Sequence, residues 1–138
     1  MQADFHDANE RHWDDAQRLF QGQRWANADH LYGVATECGL KRLMLVFGMG
    51  MDLEKDRPSR HEDRKHADGI WLRYESYRSG HAQGAAYALS SQNPFHDWKV
   101  DQRYANQSNF DQTRTQAHQG GASDVRKLLK QAQRDGLI

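Results

Sequence analysis

The chain has 138 residues, with 19 basic and 19 acidic side chains and an isoelectric point of about 7.1. That length suits a single domain, residues 1–138, and the balanced charge lacks the basic excess typical of nucleic-acid-binding domains. A mean hydropathy of −1.04 and a scarcity of Val and Ile disfavour a β-sandwich, whereas four Trp, five Tyr and five Phe can fill a small helical core.

The N-terminal residues, MQADFHDANER, lack the basic flank and apolar run of a signal peptide. No apolar window approaches the ~20 residues of a membrane-spanning helix, so we expect a cytoplasmic protein with no membrane contact. Cys38 is the only cysteine, which excludes an intrachain disulfide. Because it lies on the apolar face of a predicted helix, we interpret it as a small buried hydrophobic residue, with a reactive thiol as the alternative.

Apolar residues spaced three and four apart predict a helical hairpin at the start of the chain. The first helix is predicted over 4–21, with acidic residues near its N-terminus and Gly22 as its stop. The second is predicted over 25–47. The short connection between them indicates that the two helices are antiparallel.

The glycine-rich run LVFGMGM, residues 45–51, has two interpretations. It can end the second helix, with Gly48 or Gly50 as a left-handed cap, or it can be a strand followed by a nucleotide-binding G-x-G. No third glycine and no second strand–helix unit follow, and the chain continues as a charged linker over 48–61. The helix end is therefore the favoured interpretation.

The rest of the chain also carries helical patterns. Helices are predicted over 62–79 and over the Ala-rich run 81–91, with a further short helix over 97–105. The last helix is predicted over 109–135, and its apolar spacing continues through Gly120-Gly121. That pair either lies inside a continuous, locally loosened helix, which we favour, or breaks it. These elements predict an all-α protein.

A combination of motifs resembles one known family. The stretch HWDDAQRLFQGQRWANADHLYGVATECGLKRLM has a helix ending in A-x-x-L-φ, an aromatic turn, and a helix of the type A-x-x-φ-φ-x-x-A-x-E-x-x-φ-K-x-φ-φ. A His-led helix, KHADGIW, follows, and the closing part contains Arg103-Tyr104 and A-x-x-V-x-x-L-L-x-x-A. Together these resemble the HEPN superfamily (higher eukaryotes and prokaryotes nucleotide-binding domains) over most of the chain, with insertions around 80–100.

The resemblance implies a four- to five-helix up-and-down bundle that is often a homodimer. Many members are metal-independent ribonucleases of toxin–antitoxin and defence systems, with an Arg-x4–6-His signature near the start of the last helix. In such a site the imidazole exchanges protons near neutral pH and the Arg holds the scissile phosphate. Other members bind nucleotides or partners without catalysis, and some pair with a small nucleotidyltransferase.

This chain departs from the signature, because Asn109 and Phe110 stand where Arg103 would require a histidine. Arg114 and His118 are four residues apart and therefore share a helix face. The candidate catalytic residues are thus Arg103, Arg114 and His118. The alternative is a solvated Arg beside a helix-face His.

Four further residues are candidate ligand-binding groups: Glu37, Lys41, His66 and Tyr104. The alternative for the Glu37/Lys41 pair is an ordinary ion pair on the surface or at a dimer seam. The mixed charges of residues 55–65 are interpreted as a solvated linker, with an RNA-binding patch as the alternative.

The eight histidines carry no clear metal motif. The segment His61-Glu-Asp-Arg-Lys-His66 has a spacing of five, so it is not HExxH. We predict no metal and no cofactor. A three-His site formed by His12, His30 and His66 in the bundle remains an alternative.

The sequence thus predicts a HEPN-like homodimeric module, non-catalytic or weakly catalytic, of a toxin–antitoxin or defence type. It would bind RNA, a nucleotide or a nucleotidyltransferase-type partner. The first alternative is a metal-independent endoribonuclease with Arg and His at a dimer cleft. The second is a metal-dependent enzyme built in a helical bundle.

Overall fold

A computed structural model describes residues 1–138 and shows an all-α bundle of four helices with one very small strand pair. The helices are α1 (Phe5–Gln21), α2 (Trp25–Val46), α3 (Ala67–Ser79) and α4 (Gln112–Arg134). Helix α2 is central and packs against each of the other three. No helix is both long enough and apolar enough to cross a membrane.

The hairpin of α1 and α2 lies within one residue of its predicted bounds. The Asp4 side chain caps α1 by accepting hydrogen bonds from the N–H groups of His6 and Asp7, at 3.1 and 3.0 Å. At the other end of the hairpin, α2 stops before Gly48, whose φ of 105° requires a residue without a side chain. The glycine-rich run therefore ends a helix, as predicted.

The predicted linker contains an antiparallel pair of two-residue strands, β1 (Met51–Asp52) and β2 (Arg57–Pro58), which the sequence did not indicate. The helix predicted from residue 62 begins only at Ala67. Residues 61–63 form a separate 3-10 turn. They do not continue into α3, because the carboxylate of Asp63 is buried against that helix. There it accepts hydrogen bonds from Arg73 Nε at 2.7 Å and from the Tyr77 hydroxyl.

The helix predicted over 81–91 is instead a 3-10 turn at Gly84–Tyr87. The chain folds back onto the end of α3 so closely that a Cβ at Gly84 would lie 1.7 Å from the Arg78 carbonyl oxygen. Further along, the Trp71 indole N–H donates to the Ser90 carbonyl at 3.0 Å. These two contacts with α3 replace a regular helix.

Helix α4 runs without a break through Gly120 and Gly121, in agreement with the favoured interpretation. A Cβ at Gly121 would lie 2.6 Å from Pro94 and 2.7 Å from Phe95, so this glycine allows close packing. The helix starts at Gln112 rather than at 109, because Asp111 caps it by accepting from the Arg114 N–H at 2.8 Å.

Residues 93–105, which we call the covering segment, cross the groove between α2 and α4. The predicted short helix there is a 3-10 turn at Val100–Tyr104. Trp98 is completely buried and packs on Gly33, where a Cβ would lie 2.1 Å from the indole ring. Its N–H donates to the Asp29 carbonyl at 3.1 Å. The covering segment is thereby fixed on α2.

Candidate functional site

A completely buried carboxylate lies where α2, α4 and the covering segment meet. The Asp29 side chain is 0% exposed. Its Oδ1 lies 2.6 Å from Nδ1 of His118, and its Oδ2 accepts from Nε2 of Gln102 at 2.6 Å. Nε of Arg114 lies 3.5 Å from the same Oδ2. Asp29 therefore joins side chains from two other parts of the chain.

The remaining contacts close these side chains into a ring. Arg114 donates from Nη1 to Oδ2 of Asp97 at 2.9 Å and from Nη2 to Oε1 of Gln102 at 3.1 Å. Nη2 also donates to the Asp97 carbonyl at 2.9 Å. Oδ1 of Asp97 lies 2.9 Å from Nε2 of His118. We call the five side chains, Asp29, Gln102, Arg114, Asp97 and His118, the ion ring.

Each ring nitrogen of His118 faces a carboxylate, Nδ1 towards Asp29 and Nε2 towards Asp97. Ionised carboxylates only accept hydrogen bonds, so a His118 ring with a proton on both nitrogens satisfies both contacts. His118 is 1% exposed, and its ring stacks on Phe95 with centroids 5.0 Å apart.

The pKa of Asp97 reflects this arrangement. Burial acts to raise the pKa of Asp97, but the hydrogen bond from His118 and the positive charges of His118 and Arg114 outweigh burial. The pKa of Asp97 is consequently lower than that of an ordinary aspartate. Asp97 therefore stays ionised in mild acid.

An open cavity of about 760 Å³ lies next to the ion ring, beside the first turn of α2. Residues 23–27 form one wall, and residues 102, 103 and 105–108 form the other. Gln102 belongs to both the cavity and the ion ring. The lining includes two arginines, Arg24 and Arg103, and no Asp or Glu. Its other polar side chains are amides and one hydroxyl, so the cavity is positively charged.

The first turn of α2 adds hydrogen-bond donors to this cavity. The backbone N–H groups of Trp25, Ala26 and Asn27 have no acceptor in the protein, and no side chain caps the helix. All three residues line the cavity. By contrast, α1 and α4 each begin with an aspartate that accepts such hydrogen bonds. The start of α2 therefore leaves its donors open to a ligand.

Arg103 and Tyr104 lie together at the cavity edge. The guanidinium carbon of Arg103 is 4.8 Å from the centroid of the Tyr104 ring, and Tyr104 is 77% exposed. His30, one turn along α2 from the lining residues, stacks on Trp98 with centroids 5.7 Å apart. Burial, followed by the charge of Arg103, lowers the pKa of His30. The positive charge of Arg103 thus lowers the pKa of a residue outside the cavity lining.

The predicted catalytic residues are only partly brought together. Arg114 and His118 share the ion ring, where His118 is closed to solvent. Arg103 is not a member of the ring and lines the cavity instead. The three residues therefore do not form one open cleft in a single copy of the chain.

The predicted ligand-binding residues also divide. Oε1 of Glu37 accepts from Nζ of Lys41 at 2.6 Å, and Oε2 lies 3.0 Å from Nδ1 of His66. Lys41 is buried, and its Nζ lies 6.0 Å from the centroid of the Phe5 ring. Tyr104 does not join this group, because it lies beside Arg103.

Four residues of the site are absent from the sequence-based candidates: Arg24, Asp29, Asp97 and Gln102. The sequence carries one signal for Asp29, which stands three residues before Tyr32 of the same helix and therefore lies beside its apolar face. Asp97 and Gln102 lie in irregular structure, where no periodicity indicates which side chains face inwards.

No three His, Cys, Asp or Glu side chains are grouped so that they could hold a metal ion. His12, His30 and His66 accordingly do not form the three-His site considered above. The nearest partner of His66 is Glu37.

No protein-family model, no curated protein and no solved structure matches this chain. The resemblance to the HEPN superfamily thus depends on the motifs quoted above, and the geometry of the site is the other indication of function.

Proposed function

We propose that the protein is a non-catalytic binding module that takes the phosphate groups of RNA or of a nucleotide at the cavity beside the start of α2. The observation that carries this proposal is the composition of the cavity. Two arginines and three free backbone N–H groups line it without any carboxylate, in a chain whose net charge is zero.

A phosphate group suits these donors. The N-terminus of a long helix has a partial positive charge and donors that point outwards, which favours an anion there. Arginine presents a planar fork of donors that matches two phosphate oxygens. Arg24 and Arg103 lie on opposite walls of the cavity, so an anion bound between them would have a positive charge on each side.

The cavity also has groups suited to the rest of a nucleotide. A volume of about 760 Å³ falls within the range of small-molecule sites. Amide side chains such as Asn27 and Asn106 can hydrogen-bond to base edges, and the exposed ring of Tyr104 can stack on a base. These features favour RNA or a nucleotide over a simple anion.

The ion ring argues against catalysis by Arg103, Arg114 and His118. A general base must reach the proton that it takes, whereas His118 is buried and both of its nitrogens face carboxylates. We expect no cleavage of structured RNA by the purified protein, with or without EDTA. EDTA-resistant cleavage that His118→Ala abolishes would favour the ribonuclease, and cleavage that EDTA abolishes would favour the metal-dependent enzyme.

The resemblance to the HEPN superfamily adds the context of this proposal. It suggests a homodimer of a toxin–antitoxin or defence type, with a nucleotidyltransferase-type protein as a further partner, and the cytoplasmic location expected from the sequence stays a proposal. Sedimentation equilibrium at tens of micromolar tests the dimer, and a purely monomeric protein would contradict it.

The binding site itself is tested by fluorescence anisotropy with a short, labelled single-stranded oligoribonucleotide. We expect Arg103→Gln and Arg24→Gln each to weaken binding at least about fivefold, because each removes a phosphate contact. Added salt should weaken the wild type more steeply than either variant.

The matched control is Arg60→Gln. Arg60 is exposed and lies beyond the opposite end of α2, so this variant removes one positive charge without touching the cavity. Equal loss of affinity in Arg60→Gln and Arg103→Gln would mean that binding follows net charge only. Unchanged binding in Arg103→Gln would overturn the proposed site.

A further inference from the structure

One wall of the cavity has few connections to the helices. Residues 103–108 are exposed, and their hydrogen bonds are local, such as that from the Ser108 N–H to Oδ1 of Asn106 at 2.9 Å. Within 102–108, only the Gln102 side chain makes hydrogen bonds to helices. Besides the anchor that Trp98 gives the covering segment, the position of Arg103 relative to the start of α2 therefore depends on its neighbour Gln102.

The ion ring holds both ends of the Gln102 amide. Nε2 donates to Asp29 at 2.6 Å, and Oε1 accepts from Arg114 at 3.1 Å. Because a carboxylate only accepts and a guanidinium only donates, the amide can take one orientation only. The backbone N–H of Lys99 lies 3.2 Å from the same Oε1 and agrees with that orientation.

Asp29 and Arg114 are in turn held by the other two members of the ring. His118 contacts Oδ1 of Asp29 at 2.6 Å and so directs Oδ2 towards Gln102. Asp97 accepts from Nη1 of Arg114 at 2.9 Å and contacts Nε2 of His118 at 2.9 Å. Since both basic side chains of the ring face carboxylates, the ring contributes orientation to the cavity and little net attraction for an anion.

We propose that His118 is a positioning residue of the phosphate-binding site. From the buried side of that site it holds Asp29 and Asp97 in place. Through these carboxylates, Gln102 is held so that it fixes the cavity wall that carries Arg103. This inference rests on the proposed function. His118 does not touch the ligand. It acts through two carboxylates, over a path of hydrogen bonds in which every distance lies between 2.6 and 3.1 Å.

The test compares His118→Gln with a control of equal burial. Asp63→Asn is that control, because Asp63 is 0% exposed against 1% for His118 and has a charged partner, Arg73, but lies in the turn before α3 and not beside the cavity. We expect His118→Gln to weaken binding of the labelled oligoribonucleotide about tenfold, since the amide of Gln102 loses its fixed orientation. Asp63→Asn should leave the affinity of the folded protein within about twofold.

A spectroscopic signal separates positioning from general destabilisation. In 15N-resolved NMR spectra, the side-chain NH2 of Gln102 should be shifted from its free position by the carboxylate of Asp29. We expect that shift to disappear in His118→Gln and to persist in Asp63→Asn. If His118→Gln does not fold, Asp97→Asn replaces it, because Asp97 is 44% exposed and its replacement leaves the Asp29–His118 contact in place. A several-fold loss of affinity is expected there.

The outcomes distinguish the inference from the function on which it rests. Loss of affinity in Arg103→Gln without loss in His118→Gln or Asp97→Asn would overturn the positioning role and leave the site intact. Equal losses in His118→Gln and Asp63→Asn would also overturn it. A wild-type protein that binds no oligoribonucleotide and no mononucleotide would overturn the proposed function, and the positioning role with it.

Discussion

Asp29 and Asp63 are both completely buried carboxylates close to an arginine, yet they hold together different kinds of structure. Asp63 is bound by Arg73 and Tyr77, which lie 10 and 14 residues further along the chain, so it fastens a turn to the next helix. Asp29 is bound by side chains 73 and 89 residues away and fastens the covering segment and α4 to α2. The contacts of Asp63 close a loop, whereas the ion ring around Asp29 supports the wall of a cavity.

Burial of a charge does not by itself mark a functional site. A buried ion pair adds little net stability over apolar packing, since the loss of hydration offsets the attraction. What distinguishes the ion ring is its position, because one of its members also lines an open, positively charged cavity. Removing one partner from the contacts of Asp63 and one from the ion ring distinguishes the roles of the two clusters.

The largest effect is expected from Asp29→Ala. It leaves the buried ring of His118, the amide of Gln102 and the guanidinium of Arg114 without the carboxylate they share, which should lower the free energy of unfolding by about 3–5 kcal/mol. Asp63→Ala should lower it by only about 1–3 kcal/mol, because its partners Arg73 and Tyr77 are both partly exposed and can reach water, whereas the His118 partner of Asp29 is 1% exposed. Denaturant unfolding followed by circular dichroism measures both. Equal losses would contradict the distinction between the two clusters.

A packing substitution should detach the covering segment without changing any charge. In Gly33→Ala the new Cβ would meet the Trp98 indole at 2.1 Å, so we expect a loss of about 1–3 kcal/mol by thermal unfolding. Gly120→Ala is the matched control, because nothing lies within 4 Å of its Cβ. That variant should gain about 0.5–1 kcal/mol from helix propensity. A neutral Gly33→Ala would mean that Trp98 is not fixed on α2.

Acid should weaken the ion ring through Asp97. Because its folded-state pKa is depressed, its contribution to stability is complete above the pKa of a free aspartate, about 3.9, and is lost as pH falls through the lower folded-state value. We expect Asp97→Asn to show a shallower loss of stability between about pH 4 and pH 2 than the wild type. The measurement is the free energy of unfolding from urea titrations at each pH. If it falls equally steeply in Asp97→Asn and in the wild type, Asp97 does not contribute to the acid dependence of stability.

The smallest effect is expected at His66. Its side chain is 51% exposed, and Glu37 keeps its contact with Lys41 when the imidazole is removed. His66→Ala should therefore change the free energy of unfolding by less than about 0.5 kcal/mol. A larger loss in the free energy of unfolding would show that the exposed contact of His66 with Glu37 stabilises the fold as much as the buried contacts of the ion ring do.

Much of the bundle follows from the sequence because periodicity and capping residues are local signals. Asp4, Gly22 and Gly48 define the hairpin of α1 and α2 almost to the residue. The Ala-rich run 81–91 misled the prediction, because its helix propensity is overridden by the close approach of Gly84 to the end of α3. Tertiary contacts override helix propensity where they determine the backbone conformation.

The site was harder to predict than the fold. The i, i+4 spacing of Arg114 and His118 correctly indicated a shared face, but not that His118 would be enclosed by two carboxylates. Those carboxylates come from positions 89 and 21 residues away, one of them in irregular structure. No local pattern encodes such a meeting, so the ring becomes visible only when the chain is folded.

The long separations within the ion ring also have a kinetic consequence. Contacts between distant positions form late, because the entropy of closing a long loop has to be lost before they contribute. We expect the ring to form after the α1–α2 hairpin, so that Asp29→Ala accelerates unfolding in stopped-flow experiments and leaves the refolding rate close to that of the wild type. Slower refolding would instead place the ring in the folding nucleus. On this expectation the cavity is the last part of the molecule to be completed and the first to open.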